Sequence, residues 1–416
     1  RETHGTTLLR SKLRSKSLVL LAGGADLLAA LAGCGGADAS DDGEIVLGAS
    51  LPLTGSLGVF GPPIQAGYEQ AIKAINDAGG VEIDGTRHQL QLVVKDNKSD
   101  PTVVTSTTKS LVNDEGATVL LGSVTPPLTI PFSVVADQEQ IPAISPLTPT
   151  QAWMAANTDG WRYAYDVFVD EVEQTAVNFE ASDLVTTNKK VALFTDTGED
   201  GKAMGALWES QAPKFGYEIV SRAEFPVGTT DFSQFIQEAK DADAEVMIAQ
   251  VIPPDAAALW KQMKALGYAP KTAWPEKGGT VGFPQAAGDV ADGASVFGWW
   301  SPGNGNVGGQ EVYDANKAEY GDGLATQGVV AAYSMVQIVA DALERAGSTD
   351  PDDINEALAA TKDLDTVWAK ITIDENHRAV IPPTAVQWQG DSQVTVWPAD
   401  EATGTMVSPP PGLAGK

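Results

Sequence analysis

From Glu44 onward, short β-rich apolar runs alternate with stretches whose apolar residues recur at helical spacing. That alternation is the mark of βαβ units and restricts the chain to parallel-sheet α/β architectures. Strands are expected over 45–49, 89–95, 118–121 and 143–145, separated by helices over 64–78, 100–112 and 127–138. The first helix carries Ala66, Ala71, Ile72, Ala74 and Ile75 at helical spacing and stops at Gly79-Gly80. A second round starts near Val172, with strands over 190–194, 218–225, 245–250 and 271–274 and helices over 173–181, 202–215, 232–239 and 255–266. After a strand over 294–300 come helices over 311–320, 325–346 and 354–361, then β-rich segments over 367–373 and 385–389. A second half that simply followed the first would not need this late helical region, so the chain is expected to cross back. The tail 400–416, with Ser408-Pro409-Pro410-Pro411, reads as flexible.

At 416 residues the chain is too long for one core, and two domains are the default. Fifty-five acidic against 27 basic residues leave a net charge of −28, which removes any long-range attraction for nucleic acid. One cysteine excludes a disulfide framework and multi-cysteine metal sites, and three histidines leave few metal ligands; no metal and no cofactor are expected.

Arg10, Lys12, Arg14 and Lys16 precede an apolar stretch over 18–32, an order that reads as a secretory signal over 1–33. The stretch is short of the ~20 residues a spanning helix needs. Leu31-Ala32-Gly33-Cys34 resembles the bacterial lipobox, so Cys34 is the expected lipidation site, with a polar tether over 34–43. The protein is thus expected outside the cytoplasm, lipid-anchored to the cell membrane.

Several motifs in order carry a further resemblance: Leu51-Pro52-Leu53-Thr54-Gly55, Ala74-Ile75-Asn76-Asp77-Ala78-Gly79-Gly80, Asp100-Pro101, Ile141-Pro142-Ala143-Ile144-Ser145-Pro146 and Lys261-Gln262-Met263-Lys264-Ala265-Leu266-Gly267. Over about 44–397 the chain resembles the branched-chain amino acid type of periplasmic binding protein, the solute receptor of ABC importers. The resemblance implies an α/β fold of two doubly wound, Rossmann-like lobes joined by three crossovers, the type I or Venus flytrap form. Lobe 1 would span 44–166 plus 297–366, and lobe 2 would span 167–296 plus 367–399. It also implies a small-molecule ligand in the cleft and ABC permease subunits as partners; a monomer is expected.

The ligand-binding candidates follow from strand ends facing that cleft. The loop Gly122-Ser123-Val124-Thr125-Pro126-Pro127 opens a helix, where Ser123, Thr125 and free backbone N–H groups could seat a carboxylate; ordinary N-capping by Thr125 is the alternative. Pro126 and Pro127 replace hydroxyl residues usual in the family and remove donors. Thr148, or Thr150 in another register, matches the family's second ligand loop. Glu276, after Trp274-Pro275, matches an acidic family position that pairs with the ligand ammonium. Asp200 stands where relatives have a tyrosine, and is either a cation-seeking group or a helix N-cap. Phe60 and Ile252 match positions of family tyrosines near the pocket wall. Trp153, Trp161, Trp274, Trp299 and Trp300 fall near predicted cleft loops, whereas Trp208 and Trp260 sit at helical spacing as core residues.

Gly303-Asn304-Gly305-Asn306-Val307-Gly308 satisfies the dinucleotide-binding spacing but lies late in the chain behind Pro302, and reads as a flexible loop. No nucleophile elbow, P-loop or zinc-protease motif is present, and no catalytic residue is assigned. The expected role is therefore non-enzymatic: an extracytoplasmic solute-binding lipoprotein delivering an amino acid or related small polar molecule to a permease. A ligand-sensing lipoprotein signalling to a membrane receptor is the alternative.

Overall fold

The computed structural model describes residues 43–301 and 306–414. The signal segment, Cys34 and the first half of the glycine-spaced loop therefore lie outside the described residues.

Six parallel strands form the first sheet, in the order Arg378–Val380, Ala164–Phe168, Ala143–Pro146, Val119–Leu121, Ile45–Leu51 and Leu90–Asp96. The strand Ile45–Leu51 is buried at every position but Val46, as a strand covered on both faces requires. One covering layer is the long helix Leu324–Ala346, which packs on helix Gly61–Asp77. The two helices approach tightly at Gly67, where an added Cβ would lie 2.4 Å from the Val329 carbonyl oxygen and 2.6 Å from the Ala332 Cβ. Gly67→Ala is expected to push the helices apart at a cost of ~1–3 kcal/mol, read as a lower urea midpoint with an unchanged slope.

A second parallel sheet runs Thr272–Trp274, Val246–Gln250, Lys190–Asp196 and Glu218–Phe225. Alternation along its strands separates two cores: Ala192, Phe194, Met247 and Ala249 pack on one face. Val191, Leu193, Val246 and Ile248 pack on the other. An antiparallel sheet of Ser295–Gly298, Thr384–Gln389 and Ser392–Trp397 completes this half. The architecture is the α/β, doubly wound, two-lobed type I form that the motifs implied. The chain passes between lobes after Phe168, returns beyond Gly298, and passes again between Ile381 and Thr384.

Three sequence boundaries shift. Residues 164–168 form a strand that straddles the expected limit at 166, because Asp166 is buried within it. Residues 367–381, expected in lobe 2, belong to lobe 1: Val367, Ile371, Ala379 and Ile381 join its core, and Arg378–Val380 pairs with Ala164–Phe168. The expected flexible tail is packed through residue 414. Val407 exchanges two hydrogen bonds with the Gln387 side chain (2.8 and 2.9 Å), the Ser408 hydroxyl donates to the Lys271 carbonyl at 2.8 Å, and Leu413 is buried. These partners and the buried apolar area order a segment whose composition alone predicts none.

Candidate functional site

In the first sheet the winding direction reverses beside Ile45–Leu51, and in the second beside Lys190–Asp196. Open parallel sheets expose a crevice beyond the strand ends at such a reversal. A narrow cavity occupies this position, lined from lobe 1 by Phe60, Val124, Thr125, Leu147 and Pro149 and from lobe 2 by Gln174, Gln250, Lys277 and Thr280. Phe168, Phe297 and Trp299 close it at the crossovers with mutual ring centroid distances of 5.4–5.9 Å.

Of the expected contacts, Phe60 and Thr125 line the cavity. The Thr125 hydroxyl is buried with no protein partner. Thr125 also holds φ 62° and ψ 147°, a conformation costly for a β-branched residue by ~1–3 kcal/mol. The helix Pro126–Glu139 behind it does not provide the expected amide seat. Its first two residues are prolines, and the N–H groups of Leu128 and Thr129 both donate to the Thr125 carbonyl, at 3.2 and 2.9 Å. Thr125 makes no side-chain N-cap bond either.

Ser123, Thr148 and Thr150 are fully buried and turned to internal partners. Ser123 accepts from the Asn97 amide at 3.1 Å, and Thr148 shares a 2.7 Å bond with Thr129. Thr150 accepts from Arg378 at 3.3 Å beside the Arg378–Asp170 ion pair, which ties the first crossover together. The cavity takes Leu147 and Pro149 from this loop instead. Ile252 precedes helix Pro253–Ala265 and packs against the lobe 1 core.

Glu276 is fully buried at φ 32° and lies outside the lining set. Its carboxylate accepts from the Asn178 amide, from Gln174 at 3.4 Å and from the Phe297 N–H. Burial pushes its carboxyl up to about 7 against the opposing pull of those donors. The next residue, Lys277, lines the cavity and pairs with the buried Asp200. Asp200 lies inside helix Glu199–Gln211, whose N-cap is Gly198, so it is not the cap. It also accepts from Gln250 at 3.2 Å. Asp196, at the end of its strand, is raised to about 6 by burial first, with Lys277 opposing.

Sequence reasoning missed Lys277, Gln174, Gln250, Thr280, Phe168 and Phe297. The strand-end rule pointed toward Gln250; Phe168 ends a strand that the sequence did not show, and Gln174, Lys277 and Thr280, on helical segments, gave no comparable signal. Of the tryptophans expected near the cleft, Trp299 lines it and Trp300 packs on Tyr313. Trp153 and Trp161 stack on each other in a separate cluster, and Trp274 is buried in the second lobe, as are Trp208 and Trp260. Among the described residues, no group of three or more His, Cys, Asp or Glu side chains is placed to hold a metal.

The family model for periplasmic binding proteins matches residues 44–393. A Leu/Ile/Val-binding protein homolog of Brucella melitensis is 26% identical over 336 residues, covering 80% of this chain and 88% of its own length. A leucine-, isoleucine-, valine-, threonine- and alanine-binding protein of Pseudomonas aeruginosa is 27% identical over 328 residues, 78% of this chain and 84% of its own. Among solved structures, the branched-chain amino acid transporter substrate-binding protein LivJ of Streptococcus pneumoniae, in complex with isoleucine, superposes with a TM-score of 0.73 at 25% identity. That match covers 85% of this chain and all of the other. The leucine-binding protein LivK of Thermotoga maritima gives a TM-score of 0.74 at 20% identity, covering 84% and 97% of the two chains. With the lobes wound in this order and the cavity at their strand ends, the chain belongs to the periplasmic binding protein family, as a solute-binding member of the branched-chain amino acid type with the type I fold.

Proposed function

We propose that the protein works outside the cytoplasm as a lipid-anchored, non-enzymatic receptor. In this reading it captures an amino acid or related small polar molecule in the cavity and passes it to the membrane subunits of an ABC importer. The observation that carries the reading is that strand-end residues of both lobes, Thr125 from one and Gln250 from the other, line one cavity. A ligand touching both lobes favours the closed arrangement by its differential affinity for closed over open. Moving a 1:99 closed population to 99:1 takes ~5.5 kcal/mol, and the permease would recognise the closed shape.

A thermal-shift screen over amino acids, amides, urea-like compounds and small carboxylates tests it. A specific ligand at 100 times its dissociation constant is expected to add ~2.7 kcal/mol to the folded state, with a matching rise in melting temperature. Flat melting curves across the whole panel would end the reading.

A further inference from the structure

We propose that the cavity selects an uncharged carboxamide head group over a carboxylate of the same shape. The proposal rests on the reading of this cavity as the solute site and adds the chemical class of its ligand.

Its basis is the orientation of two buried amides. Gln174 and Gln250 are 1% and 2% exposed, and both line the cavity. Gln174 Nε2 donates to Glu276 Oε2 at 3.4 Å, and Gln250 Nε2 donates to Asp200 Oδ2 at 3.2 Å. In both contacts the amide nitrogen donates and a carboxyl oxygen accepts, which fixes the end of each amide that meets its acid. The opposite ends, Gln174 Oε1 and Gln250 Oε1, have no partner in the protein. Two buried carbonyl oxygens at one cavity each call for an N–H or O–H donor, since leaving them unmet costs ~1–3 kcal/mol apiece.

A carboxylate cannot meet that requirement. It brings acceptors only, and would set negative oxygen against carbonyl oxygen. The single cationic residue among the lining set, Lys277, is already paired with Asp200, and Asp196 and Asp255 are within its electrostatic reach. A ligand carboxylate there would be a further anion among three. Lobe 1 offers a carboxylate only the Thr125 hydroxyl, because the helix behind it opens with two prolines and its next two N–H groups are taken.

A primary carboxamide supplies the missing complement. Its two N–H groups suit the two glutamine oxygens. Its carbonyl can accept from the Thr125 hydroxyl or from a second ammonium proton of Lys277, which has three donors in all. The remainder of the ligand would lie among Phe60, Phe168, Phe297 and Trp299, so a compact apolar or aromatic body is favoured. Glu276 and Asp200 then act through the glutamines as positioning residues and do not touch the ligand.

Isothermal titration of the purified chain with matched probes tests this: benzamide against benzoate, isovaleramide against isovalerate, and L-leucine. The amide of each pair is expected to bind at least about tenfold more tightly than its acid and than leucine, equivalent to ~1.4 kcal/mol or more. Gln250→Leu is expected to weaken amide binding by about tenfold and to remove the preference over the acid. Tighter binding of the acids or of leucine would overturn the carboxamide assignment while leaving the solute-binding reading intact. Silence from all five probes, together with flat melting curves across the wider panel, would overturn both.

Discussion

Lys277→Met is expected to cost ~3–5 kcal/mol of folding stability, among the largest losses available to any single side chain outside the apolar cores. The methionine fills much of the same volume, so the loss is electrostatic. Asp200, 3% exposed, would lose its partner in a place water does not reach. Asp196, already at about 6, would lose the charge that holds it down and rise further. The cost should therefore be smaller near pH 5, where Asp196 accepts a proton, than near pH 8. Urea unfolding at the two pH values reads both effects. A second change, Asp200→Leu, should restore much of the stability, because replacing a buried pair with apolar side chains is often neutral. A Lys277→Met protein as stable as the parent at pH 8 would show the pair to be dispensable.

Stability should also fall as pH rises from about 5 to about 8. Burial lifts the carboxyls of Glu171 and Glu276 to about 7 and that of Asp196 to about 6. In the unfolded chain such groups titrate near ~4. The folded state keeps these protons over an interval in which the unfolded chain releases them. Their contribution is present in full below ~4, fades as pH rises, and is lost above ~7. Each group is worth ~3 kcal/mol at most. Asp96 is held low by its hydrogen bonds, and its effect falls below this window. His377, pushed down by burial, opposes the trend near its own titration. Asp166 adds to it: the residue is fully buried in the lobe 1 sheet, neither carboxyl oxygen has a partner, and burial raises it well above the usual range. Asp166→Asn should stabilise the protein by an amount that grows with pH. Calorimetric melting temperatures of the parent and Asp166→Asn from about pH 5 to about pH 8 provide the check; a parent melting temperature that climbs over this range would contradict the account.

Both effects depend on groups whose chemistry the sequence does not announce. The alternation of strands and helices was legible because each element carries its own period. The helix over 64–78 was read from five apolar positions and is observed as Gly61–Asp77. The strand Ala164–Phe168 escaped because Asp166 breaks the apolar run, and its burial comes from neighbouring strands and from Arg378–Val380, more than 200 residues later. At the site, the motif around Trp274-Pro275 marked the right loop but the wrong side chain. A left-handed backbone at Glu276 turns its carboxylate to Asn178 and Gln174, while Lys277 lines the cavity. Adjacent residues differ in direction by a single dihedral, and no spacing rule reports it.

By itself the sequence determined the class of fold, the family, and the strand-end loops that border the cavity, because these rest on local periodicity and on motifs in order. Only the tertiary structure decided which side chains line that cavity and which carboxylates are shielded behind amides. Those outcomes depend on contacts such as Asp200 with Lys277 and Gln174 with Glu276, 77 and 102 positions apart, and on the burial that raises the energy of a charge until such a partner is found.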